Sequence, residues 1–298
     1  MPLCSRIFCW MAILLTAQIA SAGEAAGMKP FLTEGNTGEV PFFLYLPVAF
    51  QATPALQPAG VLLLVPGYNG SGEAMLDERW RRFADQNSLI LLAPTFKNSN
   101  PQELHENRGY YYPEQGSGEE VENALAEVHR RTGVQVDHIL IFGFSAGAHF
   151  AHRFALWKPD QVKSFVAYSA GWWSDPNESL HNVPALIMCG ESDERFEATR
   201  AFFQKGLALN LPWIWRSYKN TAHQLTSPVR TMSEVFLAYY AKQMKGGRES
   251  VADSSSNISY GDIQTYRVVP GLEKESIPET VRVLLPSAQI SDIWVKEN

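Results

Sequence analysis

Short runs of aliphatic residues, each stopped by proline or glycine, recur along this chain and constrain its fold more than any other feature. Val61 to Val65 is five consecutive aliphatic residues closed by Pro66-Gly67, and Leu89 to Ala93 is stopped by Pro94. Runs of this kind, without polar alternation, are typical of strands buried on both faces of a sheet. Because segments with helical character separate them, the sequence predicts an α/β fold with a mostly parallel central sheet flanked by helices.

Strands and helices are predicted to alternate between residues 42 and 244. The strands are predicted at Phe42 to Leu46, Val61 to Val65, Leu89 to Ala93, His138 to Phe142, Ser164 to Tyr168, Ala185 to Met188 and Trp213 to Tyr218. The helices are predicted at Glu73 to Gln86, Glu119 to Arg131, Ala148 to Trp157, Glu194 to Leu209 and Pro228 to Met244. Thr95 to Gly116 is predicted to be a long aromatic loop. Right-handed crossovers would place the functional loops at the carboxyl ends of the strands.

The chain divides into four predicted parts. Residues 1–22 have the pattern of a signal peptide, residues 23–245 form the main domain, residues 246–262 form a Gly- and Ser-rich linker, and residues 263–298 form a small C-terminal β appendage. The appendage is predicted from two strand-like runs, Thr265 to Val269 and Val281 to Leu285. Its expected role is to cover core or edge surface.

The N-terminal segment has the order of a secretory signal peptide. Arg6 precedes the apolar run Ile7 to Ala20, which ends in the small residues Ala20-Ser21-Ala22. The run is shorter than the roughly 18 residues that a membrane-spanning helix needs. We therefore expect cleavage after Ala22 and a secreted or periplasmic protein without stable membrane insertion. The alternative is an uncleaved N-terminal anchor.

Composition and motifs narrow the possible partners. A net charge of −6 argues against nucleic acid and against an anionic membrane surface. The chain has no G-x-G-x-x-G or P-loop motif, and its histidines lack the spacing of a zinc site, so we expect neither cofactor nor metal. Removal of residues 1–22 would leave Cys189 as the remaining cysteine, without an intramolecular disulfide, and we expect it to be a small buried hydrophobe.

The run Gly143-Phe144-Ser145-Ala146-Gly147 contains the candidate nucleophile. The motif alone is a weak signal, but here it follows a predicted strand and opens a predicted helix. A serine on such a sharp turn projects its hydroxyl from the sheet edge, and glycines on either side allow strand and helix to pass closely. Ser145 is therefore the predicted nucleophile. The alternative is a glycine-rich helix start in which Ser145 is only a cap.

A serine hydroxyl needs a neighbouring imidazole to accept its proton, and the imidazole needs a carboxylate to orient it. His223 is the last histidine and follows the predicted strand Trp213 to Tyr218. Asp193 follows the strand ending at Gly190 and is the predicted acid, with Glu191 and then Asp175 as alternatives. Two simpler interpretations remain open, a surface-loop role for His223 and helix capping by Asp193.

An oxyanion would need two backbone N–H donors beside the nucleophile. Ala146, the residue after the serine, is predicted to supply one. The loop Pro66 to Gly70 is predicted to supply the other, from Tyr68 or, as an alternative, from Asn69. The competing interpretation is an ordinary Gly-rich turn.

These motifs resemble those of the α/β-hydrolase superfamily over Phe42 to Met244. The matching residues are Gly143 to Gly147, Gly190 to Asp193, and Ala222-His223. The chain is most similar to the compact dienelactone-hydrolase-like branch and to the polyhydroxybutyrate-depolymerase or feruloyl-esterase-like serine esterases. It departs from many relatives in having Pro66-Gly67 where they have His-Gly. The resemblance implies an α/β-hydrolase fold with a Ser145, Asp193 and His223 triad.

The segment between the strands ending near Ser169 and starting near Ala185 is too short for a helical lid. We therefore expect no large cap, and a site bordered by Trp172, Trp173 and Tyr111, whose rings would stack on substrate. Equally, both tryptophans could simply pack over the core.

The resemblance implies hydrolysis of a carboxylic ester, in a small molecule or a polymer, through an acyl-enzyme intermediate. The alternatives are a serine peptidase or amidase of the same fold, and a non-catalytic binding protein on a hydrolase scaffold.

Overall fold

The computed structural model describes residues 31–35, 38–106, 108–245 and 258–296. The predicted signal peptide, residues 1–22, lies outside the described residues, as does most of the predicted linker. No helix in the described ranges combines the length and the apolar character that a membrane span requires.

The observed elements follow the predicted alternation. The strands are β1 (Phe31–Gly35), β2 (Gly38–Tyr45), β3 (Gly60–Val65), β4 (Leu89–Pro94), β5 (Ile139–Phe144), β6 (Val162–Tyr168), β7 (Ala185–Gly190), β8 (Trp213–Tyr218), β9 (Ser259–Asp262), β10 (Val268–Pro270) and β11 (Arg282–Leu285). The helices are α1 (Val48–Ala52), α2 (Gly72–Met75), α3 (Glu78–Asn87), α4 (Pro101–His105), α5 (Ser117–Thr132), α6 (Ala146–Trp157), α7 (Phe196–Ala208), α8 (Ser227–Lys245) and α9 (Ala288–Trp294).

One sheet of eight strands forms the centre of the described structure, in the order β1-β2-β4-β3-β5-β6-β7-β8. Strands β3 to β8 run parallel to one another, while β2 pairs antiparallel with both β1 and β4. Every residue of β3, β4, β7 and β8 is buried, and for β3, β4 and β7 this agrees with apolar runs that lack alternation. The predicted mostly parallel sheet flanked by helices is confirmed.

Three local predictions differ from the structure, and in two of them a side-chain cap breaks up a predicted segment. The predicted helix Glu73 to Gln86 is two helices, since the Asp77 carboxylate accepts the Trp80 N–H at 2.9 Å and starts α3. The predicted loop Thr95 to Gly116 contains α4, which begins with a capping box between Asn100 and Glu103. In addition, β1 precedes the first predicted strand and pairs with β2.

The C-terminal segment forms a three-stranded antiparallel sheet in the order β10-β9-β11. Strand β9 lies inside the predicted linker, which the structure therefore shortens. Its sequence Ser259-Tyr260-Gly261-Asp262 is polar and has no aliphatic signal, but it pairs with β10 on one side and β11 on the other. A Cβ on Gly261 would lie 2.6 Å from the Trp294 ring, so glycine allows the ring to cover this strand.

Two side chains attach this segment to β8, the last strand of the main sheet. The fully buried Trp294 donates its Nε1–H to the Trp215 carbonyl oxygen at 2.7 Å. The Tyr266 hydroxyl accepts the Ser217 N–H at 2.9 Å. The C-terminal segment is therefore joined to the main sheet through buried apolar surface and directional hydrogen bonds.

Replacement of Trp294 by alanine should lower the free energy of unfolding by about 3–5 kcal/mol, because it removes a fully buried ring and its hydrogen bond. Urea denaturation measures the change. The matched control is Leu272→Ala, which removes a fully exposed side chain and should change stability by less than about 0.5 kcal/mol. Equal midpoints for the two variants would show that the C-terminal segment does not stabilise the main sheet.

Candidate active site

Ser145 lies on a strained turn between β5 and α6. Its backbone has φ 56° and ψ −115°, a left-handed conformation that serine rarely adopts. A Cβ on Gly143 would lie 2.1 Å from the Gly147 carbonyl oxygen, and a Cβ on Gly147 would lie 2.1 Å from the Val65 carbonyl oxygen. Both positions therefore require glycine. The Ser145 N–H donates to the Tyr168 carbonyl oxygen at 2.8 Å, which helps to hold the turn.

The structure brings Ser145, His223 and Asp193 into one hydrogen-bonded chain. His223 Nε2 lies 2.8 Å from Ser145 Oγ, and His223 Nδ1 lies 2.7 Å from Asp193 Oδ2. The imidazole stacks on the Phe144 ring, with centroids 4.9 Å apart. Ser145 and His223 keep part of their surface exposed, whereas the Asp193 side chain is fully buried. A substrate can therefore reach the hydroxyl and the imidazole from solvent.

The loops that carry the acid and the histidine pack directly against each other. A Cβ on Gly190 would lie 2.1 Å from the Thr221 carbonyl oxygen, and the Ser192 N–H donates to that oxygen at 3.0 Å. The two alternative acids are engaged elsewhere. Glu191 accepts a hydrogen bond from the Ser217 hydroxyl at 2.7 Å, and Asp175 pairs with Lys205 at the surface.

Asp193 is held in its ionised form. Its burial opposes ionisation, but hydrogen bonds from His223 and Arg195 outweigh that effect and lower the pKa of the carboxyl group below its usual value. The Arg195 backbone N–H lies 3.0 Å from Asp193 Oδ1, and the Arg195 guanidinium lies 3.1 Å from the same oxygen. Asp193 therefore presents a fixed negative charge to the histidine.

Ala146 and the loop Pro66 to Gly70, which are predicted to supply the oxyanion donors, both lie next to Ser145. Ala146 is the first residue of α6, so its N–H has no partner within the helix. A Cβ on Gly67 would lie 3.4 Å from Ser145 Cβ, which places the loop that carries Tyr68 beside the serine. The Asn69 N–H already donates to Asn98 Oδ1 at 3.0 Å, and this favours Tyr68 over the alternative donor.

The predicted substrate-binding aromatic residues separate into exposed and buried rings. Trp172 is 42% exposed beside the site. Trp173 instead stacks on Phe202 with ring centroids 4.1 Å apart, which agrees with packing over the core. Tyr111 is only 4% exposed and lies against Trp172, with ring centroids 5.7 Å apart. The structure therefore corrects the prediction for Tyr111, whose ring supports Trp172 from below and has almost no surface left for a substrate.

His149 and His152 position the loop that carries the tryptophans, and sequence reasoning missed this role. His149 Nε2 accepts the N–H groups of Gly171 at 2.9 Å and Trp172 at 3.1 Å. His152 Nε2 accepts the Ser174 N–H at 3.1 Å. Their positions on one face of α6 are visible in the sequence, but the loop that reaches them is not.

Both histidines are neutral in this arrangement, because a ring nitrogen that accepts a hydrogen bond carries no proton. Burial is the main cause that lowers their pKa values well below the ordinary value, and the positive charge of Arg153 adds to it. His149 also faces the positive charge of Arg195 and lies near His223. Each ring therefore carries its proton on Nδ1, and that of His152 points to the Ala148 carbonyl oxygen at 2.8 Å.

Cys189 is buried in β7, with its sulfur 3.4 Å from Ser169 Oγ. Burial raises the pKa of its thiol to about 11. This environment is that of a small apolar side chain, as the sequence predicts. Within the described ranges, no group of three or more His, Cys, Asp or Glu residues has a geometry that could hold a metal ion.

Comparison with solved structures places this architecture among known folds. An S-formylglutathione hydrolase from Agrobacterium tumefaciens has a TM-score of 0.57 and 18% identity, over 76% of this chain and 99% of that chain. An esterase from Pyrobaculum calidifontis has a TM-score of 0.54 and 14% identity, over 73% of this chain and 85% of that chain. A ferulic acid esterase has a TM-score of 0.52 and 14% identity, over 73% of this chain and 97% of that chain.

No family model matches the sequence, and no curated protein matches it. The similarity to solved structures therefore concerns the fold. The protein has the α/β-hydrolase fold, as the sequence predicts, and the segment between β6 and β7 contains only a short 3₁₀ turn, Glu178–Leu180, in place of a helical lid.

Replacement of both His149 and His152 by glutamine should weaken the acid dependence of stability. Because their folded pKa values lie well below 6.5, the unfolded chain binds protons below pH 6.5 that the folded chain does not bind. The stability associated with the neutral rings is thus complete above this pH. It falls by about 1.4 kcal/mol per pH unit for each histidine as the solution is acidified.

Urea denaturation at about pH 7 and about pH 5 measures the effect. The double variant should lose less stability between these pH values than the unaltered protein. The exposed His181, changed to glutamine, is the matched control and should behave like the unaltered protein. If the double variant lost the same stability on acidification, the two rings would have to accept protons in the folded state.

Proposed function

We propose that this protein is a serine esterase that cleaves carboxylic esters through an acyl-enzyme intermediate. The observation that carries the proposal is the Ser145, His223 and Asp193 chain, with distances of 2.8 Å and 2.7 Å, on a strained and partly exposed turn. This geometry is the one that activates a serine hydroxyl. The structurally similar proteins supply further support, since they include an S-formylglutathione hydrolase and two esterases.

The proposed reaction begins with attack of Ser145 Oγ on the ester carbonyl carbon, while His223 Nε2 accepts the hydroxyl proton. Asp193, fixed in its ionised form, stabilises the imidazolium that results. The Tyr68 and Ala146 N–H groups donate to the developing oxyanion. His223 then returns the proton to the leaving alkoxide, and an alcohol departs. Water, deprotonated by the same histidine, attacks the acyl-enzyme, which releases the carboxylic acid and restores Ser145.

The exposed Trp172 ring and the short segment between β6 and β7 support an ester with a ring or aromatic group beside the scissile bond. Trp172 is fixed from below by His149, whose ring centroid lies 4.1 Å away, and by Tyr111. It also donates its Nε1–H to the Tyr112 hydroxyl at 3.3 Å. A ring held in this way loses little freedom when it stacks on a substrate.

Ser145→Ala should lower kcat for short p-nitrophenyl esters by about 10³-fold or more, because no other group on the turn supplies the nucleophile. Thermal unfolding of the variant verifies the fold. A fluorophosphonate probe should label the unaltered protein and not the variant. Unchanged ester turnover would exclude Ser145 as nucleophile, while a correctly folded protein that neither turns over esters nor reacts with the probe would indicate a binding protein. Comparison of matched esters and anilides separates an esterase from an amidase.

Trp172→Ala should raise KM for a feruloyl ester roughly 3–10-fold and leave KM for an acetyl ester nearly unchanged, since one aromatic contact is worth about 0.5–1.5 kcal/mol. Steady-state kinetics on the two esters measure the difference. Trp173→Ala is the matched control: its ring packs on Phe202, so it should lower stability more than it changes this ratio. Equal KM increases for both esters after the Trp172 change would contradict stacking on substrate.

We also propose export to the periplasm or the medium, on the basis of Arg6, the apolar run Ile7 to Ala20 and the small residues that end at Ala22. N-terminal sequencing of protein recovered outside the cytoplasm should begin at Gly23. Recovery with Met1 retained would instead indicate an uncleaved anchor.

A further inference from the structure

The C-terminal segment does more than cover the edge of the main sheet, because it completes a cavity of about 680 Å³. The walls come from α7, from the end of β8 with the turn that follows it, and from residues 263–266. Neither Ser145 nor His223 lines this cavity. Its volume lies within the range of about 300–1,000 Å³ that is usual for small-molecule sites.

Positive charge dominates the lining. Arg200, Arg216 and Lys219 face one carboxylate, Glu191, whose Oε1 accepts a hydrogen bond from the Ser217 hydroxyl. This excess of cations stands out in a chain of net charge −6. An anion that entered the cavity would therefore meet a local field opposite in sign to that of the protein as a whole.

Of these three cations, Arg200 and Lys219 have no side-chain partner in the described structure, whereas Arg216 does. Arg216 donates to the Lys296 carbonyl oxygen at 2.6 Å, and its guanidinium lies over the Tyr266 ring at 4.2 Å. In the described part of the chain, by contrast, the side chains of Arg200 and Lys219 make no ion pair and no hydrogen bond to protein. Both remain free to bind an incoming anion.

Tyr266, another residue of the lining, has a strained backbone. Tyr266 has φ 56°, which is unfavourable for a residue with a bulky side chain. Hydrogen bonds hold it in place, from its N–H to the Asp262 carbonyl oxygen at 2.8 Å and from its hydroxyl to Ser217 Oγ at 2.8 Å. Backbone strain of this kind persists only where the surroundings enforce it, and it concentrates at binding sites.

The other residues of the lining indicate the chemical character of the ligand apart from its anionic group. Asn220, Gln264 and Thr265 supply amide and hydroxyl groups, while Phe196 and Tyr266 supply aromatic surface. We propose that this cavity binds a small hydroxylated ring compound that carries one anionic group, either a carboxylate or a phosphate, held between Arg200 and Lys219. Both groups accept hydrogen bonds from a guanidinium and from an ammonium.

The test uses calorimetric titration of the full chain with Ser145→Ala, so that turnover does not contribute. The probes are glucuronate, glucose 6-phosphate, inorganic phosphate and neutral glucose, each at up to about 10 mM. At least one of the two charged sugars should bind saturably and at least 10-fold more tightly than glucose. Preference for glucuronate or for glucose 6-phosphate identifies the anionic group, and inorganic phosphate shows what the anion contributes without the ring.

Arg200→Ala combined with Lys219→Ala should weaken binding of the charged sugar at least 10-fold. The matched control, Arg82→Ala with Lys242→Ala, removes two surface cations outside the cavity lining and should leave binding unchanged. A variant that keeps both cations, Glu191→Gln, should tighten binding a few-fold because it removes the one carboxylate of the lining. Unfolding midpoints verify that each variant is folded.

Three results would overturn the proposal. The first is that neither charged sugar binds saturably. The second is that glucose binds as tightly as the charged sugars. The third is that the cavity variant and its surface control weaken binding of the charged sugar equally. None of them bears on ester hydrolysis, since the cavity variants with Ser145 intact should keep their kcat for p-nitrophenyl acetate.

Discussion

The site depends on how closely the start of α6 approaches the strands beside it. Only glycine at positions 143 and 147 leaves room for this approach, since a Cβ at either would lie 2.1 Å from a backbone oxygen. The approach forces Ser145 into its left-handed conformation, which costs of order 1–3 kcal/mol. The fully buried β3 on one side, the almost fully buried β6 on the other and the hydrogen bond to Tyr168 offset that cost. Packing of the core thus maintains a conformation that the serine would not adopt alone.

The same placement of α6 determines the surroundings of Ser145. Once the helix begins at Ala146, His149 and His152 face the loop that follows β6, and their neutral rings accept its N–H groups. Trp172 is held against the His149 ring for that reason. Ser145 and Trp172 are therefore both positioned by α6, and the loops with Asp193 and His223 approach from neighbouring strand ends.

Much of this arrangement can be predicted from the sequence because its parts have recognisable local sequence patterns. Ser145 lies between glycines after an aliphatic run, and Asp193 and His223 each follow the end of a strand. Other features depend on long-range packing and have no such signal. Tyr111 reads as a loop residue, yet its ring is buried under Trp172. Strand β9 reads as a polar linker, yet the pairing of β10 and β11 on its two sides makes it a strand.

Strand β8 ends the main sheet, so its outer side presents N–H and C=O groups that no further strand pairs. The C-terminal segment meets two of these groups with side chains: the Tyr266 hydroxyl accepts the Ser217 N–H, and the Trp294 indole donates to the Trp215 carbonyl oxygen. These side chains take the hydrogen-bonding positions that a ninth strand would fill. Unlike a ninth strand, they do not extend the sheet with a new unpaired edge. Without them, the unpaired edge of β8 would be open to a strand of a second chain, and self-association through this edge would compete with folding.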